Sequence, residues 1–294
     1  MNKLSAIVLL VLVHSASAWA SPCDDLALHL KADAGIVEED GKIVCWQDQS
    51  GRGHDALNLK EDSEMTAAEL PVLEPGTLNG NPIVRFDGVD DALVIWANPE
   101  DPVRDKNASG LDIAGATGAT VFVVAYLDSG QEPDGRICGN TGDDTLGVRF
   151  QVDGRISFAA SGKTVWGESG AGYSGNEGGV VLTGRYLDDG TVELWQEGAD
   201  YRSGSDEITP LHHESPWAIG THEYDAGLSG CFDGGIVEII LYDRALSDEE
   251  LNWVGWSLED KYGIDTAYTE TEPTWQTLTV QTNPSFIDTV SPAV

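Results

Sequence analysis

Three aspartates, Asp87, Asp90 and Asp91, fall within the short stretch RFDGVDD (85–91). Carboxylates at this density could hold a hard cation, and Ca2+, abundant outside cells, prefers oxygen ligands. The spacing is not that of a helix-loop-helix calcium loop, which needs ligands at alternating positions and a distant Glu. The flanking PIVRF (82–86) and ALVIW (92–96) read as strands, so the competing reading is a bend made by Asp87-Gly88.

A second group with chemical potential is ELWQE (193–197). On a strand, Glu193, Trp195 and Glu197 share one face, because side chains alternate with a period of two. Two carboxylates flanking a glycosidic bond can act as nucleophile and acid/base. Here Trp195 stands between the two carboxylates, where glucanases of the concanavalin A-like fold carry a third carboxylate that orients the nucleophile. Trp195 carries a different chemistry. An indole on a polar strand face is a flat platform on which a sugar ring can stack. Trp166, Tyr173 and Trp217 lie in Gly/Ser-rich or polar stretches and could join it. Asp48, Gln49, Ser50 and His54 in WQDQSGRGHDA (46–56) could line a pocket; the plainer reading is that Asp48 and Ser50 cap a loop. His212 and His213 are adjacent, so a strand would point them to opposite faces. Neither G-x-S-x-G nor H-E-x-x-H occurs.

Residues 1–20 have the features of a cleaved secretory signal: Lys3, an apolar run over 4–13, and small-x-small sites at 16–18 and 18–20. No second apolar run of membrane length follows, so the expectation is a protein outside the cytoplasm, secreted, periplasmic or at the cell surface, without membrane insertion. The chain carries 16 Lys+Arg against 50 Asp+Glu, a net charge of −34. Such a surface repels nucleic acid at long range. Cys23, Cys45, Cys138 and Cys231 make an even set in an exported chain, which predicts two disulfides with three pairings open.

These residues must be positioned by strands. GVRFQV (147–152) and RISFAA (155–160) alternate apolar and polar around Asp153-Gly154, and 180–188 and 191–197 do so around Asp189-Gly190. ATVFVVAYL (119–127) and GIVEIILY (235–242) are apolar nearly throughout, as strands buried on both faces are. The pattern predicts two stacked antiparallel sheets. One helix is expected over 246–264, with Ser247 and Glu250 forming a capping box, Leu251, Val254, Leu258 and Tyr262 forming the apolar stripe, and Gly263 as its C-terminal cap. Trp253 and Trp256 on that helix read as packing residues. Residues 265–294, rich in Thr, Pro and Ser without Lys or Arg, read as a flexible tail.

The blocks LALHLKADAGI (26–36), GKIVCWQDQSGRGHDA (41–56), LNGNPIVRFDGVDDAL (78–93) and FDGGIVEIILYDRALSDEELNWVGWSLEDKYGI (232–264) together resemble a bacterial LamG-like domain. The resemblance implies an all-β, concanavalin A-like jelly-roll sandwich over 21–264 with one C-terminal helix. It also implies that the aspartates of RFDGVDD hold a turn through backbone hydrogen bonds. Members are typically secreted modules that bind glycans, proteins or calcium. The expectation is therefore a non-catalytic, lectin-like binding module, calcium-assisted or not, with an extracellular glycan as partner. The alternatives are an adhesion protein that binds a surface protein, and a glycoside hydrolase of the same fold.

Overall fold

In the computed structural model, the described residues are 26–113, 115–128, 135–140, 146–150, 155–167, 178–196, 198–203, 211, 215–222 and 230–270. The leader, Cys23, Tyr173, Glu197, His212, His213 and the tail beyond 270 lie outside them. The chain runs through β1 (Leu26–Lys31), β2 (Ile36–Glu39), β3 (Lys42–Trp46), β4 (Ala56–Leu57), β5 (Val72–Leu78) and β6 (Asn81–Asp87). It continues through β7 (Leu93–Ile95), β8 (Ala119–Leu127), β9 (Gly135–Asn140), β10 (Leu146–Phe150), β11 (Ile156–Ala160) and β12 (Lys163–Trp166). The last strands are β13 (Gly178–Tyr186), β14 (Val192–Gln196), β15 (Ala199–Ser203), β16 (Trp217–Ile219) and β17 (Asp233–Tyr242), followed by α1 (Asp248–Tyr262).

Among the described residues these strands form two sheets, paired antiparallel within each. An eight-stranded sheet runs β15-β14-β13-β8-β17-β6-β5, with β1 also on β17, and a nine-stranded sheet runs β12-β11-β10-β9-β16-β7-β4-β3-β2. The expected hairpins form: Val148 faces Phe158 across β10 and β11, and Gly184 faces Leu194 across β13 and β14. The stretch 85–91 behaves differently from a hairpin. β6 belongs to the eight-stranded sheet and β7 to the nine-stranded one, so DGVDD carries the chain from one layer to the other.

Between the sheets lies a core that includes Trp46, Phe86, Phe150, Phe158, Tyr186 and Trp217. The layers come close at Gly184, where an added Cβ would lie 2.3 Å from the Phe158 ring. The eight-stranded sheet is apolar on its other face as well. There Phe122, Val124, Val181, Trp195, Val237 and Ile240 form a second cluster, which the stripe Leu251, Val254, Leu258 and Tyr262 of α1 covers. This is why β8 and β17 are apolar throughout. The helix ends are as the capping pattern predicts: Ser247 Oγ accepts from Glu250 N at 3.2 Å, Glu250 accepts from Ser247 N at 2.8 Å, and Gly263 adopts φ 65°. After α1 the chain keeps packing: Tyr268 is buried over Gly255 and its hydroxyl meets Thr183 Oγ1 at 2.9 Å. The domain therefore extends beyond 264 to at least Tyr268. No helix of the described residues is long and apolar enough to cross a membrane.

The two-disulfide framework does not form. Cys45, Cys138 and Cys231 are free thiols, and two bridges from four cysteines would have to join at least two of these three. Cys138 sits in the sheet-to-sheet core, where burial pushes its thiol up to about 12. It serves as a small apolar side chain.

Gly184→Ala is expected to lower unfolding stability by about 1–3 kcal/mol, because the new methyl must displace the Phe158 ring. The fall should read as a lower denaturant midpoint with an unchanged slope.

Candidate functional site

An ionisable residue in the middle of an apolar strand demands a partner, and Glu238 is that residue in β17. Strand alternation would send it into the core. A β-bulge prevents this: β17 advances from Ile236 to Glu238 while β8 advances from Ala125 to Val124. The extra residue re-aims the side chain, and Glu238 emerges on the outer face beneath α1. It is 4% exposed. His29 Nε2 of β1 donates to Oε1 at 2.6 Å; Lys261 Nζ at 2.8 Å and the Tyr262 hydroxyl at 2.5 Å donate to Oε2. Burial alone would raise the carboxyl, but the His29 bond, the Lys261 charge and bond, and the Tyr262 bond outweigh it and hold Glu238 at about 2.

Beside this network a cleft of about 350 Å³ opens between α1 and the sheet. Leu26, Ile240 and Tyr242 of the sheet and Val254 and Leu258 of the helix make it apolar. Trp253 lines it as an aromatic wall, its ring 5.2 Å from that of Trp256. His29, Gln49, Ser50 and Lys261 supply polar groups, and Glu238 is the single carboxylate among the lining residues. Gln49 and Ser50 are presented by a loop organised around Asp48. That carboxylate accepts from the backbone N–H of His29, Ser50 and His54 at 2.9, 2.8 and 3.1 Å and from Ser50 Oγ at 2.6 Å. Asp48 and His54 are thus loop residues, the latter donating Nδ1–H to Ala27 O at 2.7 Å. A broader groove of about 870 Å³ lies at the N-terminal end of α1. Its Arg185 and Arg244 are already ion-paired, with Glu193 at 2.6 Å and Glu250 at 2.7 Å.

The residues singled out for sugar stacking are dispersed. Glu193 and Trp195 do share a face opposite Val192 and Leu194, but α1 and Tyr268 cover that face. Trp195 is 7% exposed, with the Arg185 guanidinium 4.8 Å from its ring centroid. Glu193 is buried against Arg185, which also reaches Asp248 at 2.7 Å and so ties the helix N-terminus down. Trp217 is fully buried, its indole N–H directed at Leu146 O. Neither indole offers an open platform. Trp166 is 41% exposed, but Arg149 and Arg155 stand 5.4 and 5.3 Å from its ring. His29, Glu238 and Lys261 do not stand out in the sequence as site residues, and Trp253 reads there as a packing residue. The signals for two of them are a His inside LALHLK and a Glu inside IVEIIL.

At the layer crossing, carboxylate oxygens of Asp87, Asp90 and Asp91 lie within 4.8 Å of one another. Asp87 Oδ1 accepts from Val89 N at 2.8 Å and Asp90 N at 3.2 Å, and Asp91 Oδ2 accepts from Asp87 N at 3.0 Å. The turn-holding role is therefore present. Burial and then the Asp87 charge push Asp91 up to about 6, against the pull of Lys42.

Solved structures share the layered arrangement at low identity. The binding domain of Paraclostridial Mosquitocidal Protein 1 is 13% identical with a TM-score of 0.54, matching 80% of this chain and 53% of its own. The fold is a two-sheet β-sandwich. A Trypanosoma rangeli sialidase in complex with 2,3-difluoro-KDN gives 13% identity and a TM-score of 0.51 over 81% of this chain and 33% of its own. The botulinum neurotoxin serotype D ligand-binding domain, in complex with N-acetylneuraminic acid, gives 13% and 0.50 over 80% and 51%. This chain thus spans about a third to a half of those it matches. No family model matches it, and no curated protein does.

Glu238 is held at about 2 against an ordinary value of 4.5. Its contribution is full above about pH 4.5 and is lost as pH falls toward 2. Glu238→Gln is expected to lose about 3 kcal/mol at neutral pH and to show a shallower acid decline over that window, read by urea unfolding at several pH values.

Proposed function

We propose that this chain is a non-catalytic carbohydrate-binding module of LamG-like type that acts outside the cytoplasm and holds a sugar in the cleft beneath α1. The observation that carries the reading is the cleft's composition: an apolar floor, one indole wall and several hydrogen-bonding groups in about 350 Å³. That is the balance a sugar needs, with an aromatic face against its C–H face and donors and acceptors at its hydroxyls. The ligand unit is neutral. The charge of Lys261 is shared between Asp33 at 3.4 Å and Glu238 at 2.8 Å, so no surplus cation is left for an acidic sugar. A sialidase and a toxin ligand-binding domain, of which this fold matches 33% and 51%, were each solved with a sugar bound, and this supports a glycan ligand.

Glu238 is engaged by three donors; Asp33, which shares Lys261 with it, does not line the cleft; and Glu193 is held by Arg185. Glycoside hydrolysis in most families uses a pair of available carboxyl groups. This supports binding without cleavage.

The test is affinity electrophoresis of the chain through neutral and acidic polysaccharides. Retardation by a neutral polymer is expected, and Trp253→Ala should weaken it by about tenfold, roughly 1.4 kcal/mol, while Trp166→Ala leaves it unchanged. Trp195→Ala should instead cost about 3–5 kcal/mol of stability. Free passage through every polymer would overturn the reading and favour a protein partner.

A further inference from the structure

The crossing from β6 to β7 carries more acid than a turn requires. Asp87 Oδ1 and Asp91 Oδ2 satisfy the backbone there. The other oxygen of Asp91 has no such role. Asp91 is 4% exposed, and its Oδ1 is buried without a hydrogen-bond partner. A buried, unsatisfied carboxylate oxygen costs about 1–3 kcal/mol or more, so it persists where something else completes it. The carboxylate also stands within 4.8 Å of oxygens from Asp87 and Asp90. Lys42, whose charge acts on Asp91, donates its Nζ–H to Leu70 O at 2.6 Å and not to the carboxylate, and Arg85 pairs with Asp128 at 2.5 Å and Glu74 at 3.0 Å.

We propose that Asp91 Oδ1, with one carboxylate oxygen each from Asp87 and Asp90, forms a Ca2+ site that pins the crossing between the two sheets. Ca2+ bonds oxygen at about 2.3–2.6 Å, so two of its ligands stand up to about 5 Å apart, which accommodates this spacing. Asp91 is the inner ligand, while Asp90 and the exposed Asp87 face solvent, where water completes the six to eight ligands that Ca2+ takes. Mg2+ demands near-ideal octahedral geometry and gives up water reluctantly, so it fits a fixed three-carboxylate corner poorly. The site is independent of the cleft beneath α1, and its failure would leave the glycan reading untouched.

The experiment is thermal unfolding of the full chain in EDTA and then in rising CaCl2 or MgCl2, with equilibrium dialysis of Ca2+ to give stoichiometry. Saturating Ca2+ should raise Tm by about 3–5 °C at tenfold excess over a Kd near or below about 1 mM, and equal Mg2+ should do less. Asp90→Asn keeps the turn's backbone bonds, and should leave the EDTA Tm unchanged while removing at least three quarters of the Ca2+ shift. Asp91→Asn should abolish the shift; if it does not fold, Asp90→Asn decides alone. A chain this acidic binds cations diffusely as well, so a Ca2+ shift that survives Asp90→Asn, or one that Mg2+ reproduces in full, would overturn the proposal. So would a Tm that does not respond to Ca2+.

Discussion

Burial of the eight-stranded sheet on both faces is the constraint from which the rest of the outer layer follows. A sandwich sheet ordinarily keeps one face wet. Here the outer face carries Phe122, Val124, Val181 and Val237, and leaving them bare would cost roughly 1.5–3 kcal/mol for each large side chain. The helix α1 closes that face. Its position is fixed at one end by Arg185, which ties Glu193 on β14 to Asp248 on α1, and at the other by Glu238, to which Lys261 and Tyr262 donate. A buried ion pair adds little net stability over an apolar contact, but removing one partner is costly. These two pairs therefore set where the helix lies more than how stable it is. The cleft lies between α1 and the sheet, lined by residues of β1, β17 and the helix, Trp253 among them.

The bulge at Val237 is the local device that makes this compatible with a core. Without it, β17 would turn Glu238 inward toward the apolar two-sheet interior. With it, the same strand gives Ile236 and Ile239 to the core and Val237, Glu238 and Ile240 to the helix. One extra residue thus converts a structural liability into the polar end of the cleft. The layer crossing at Asp87–Asp91 solves the equivalent problem at the sandwich edge. The chain must leave one sheet, reverse its hydrogen bonding and enter the other within a few residues, and side-chain carboxylates stand in for the missing strand partners.

Much of this architecture was legible because it rests on local periodicity. Strands β8, β10, β11, β13, β14 and β17 and the caps of α1 follow from alternation, Asp-Gly turns and the Ser247–Glu250 box. The parity of Glu193 and Trp195 was legible too. What covers their face was not, because an amphipathic helix announces that it needs a surface without naming which one. Trp195 and Trp217 therefore read as open where they are buried, and Trp253 read as packing where it lines the cleft. The even cysteine count pointed to bridges, but Cys45, Cys138 and Cys231 are free thiols. Glu238 was the missed clue: a charge amid Ile and Val residues signals a network, although its partners lie far off in sequence, at His29 and Lys261.

The central claim, that a sugar lies against Trp253 beneath α1, is tested most directly by 19F NMR of the chain labelled with 5-fluorotryptophan. The nine indoles would be assigned by single Trp→Phe substitutions, and the chain titrated with an oligosaccharide of the polymer that retards it. The Trp253 resonance should move saturably, while those of Trp166 and Trp217 stay in place. A still Trp253 signal at saturation, with another indole moving instead, would contradict the assignment of the cleft.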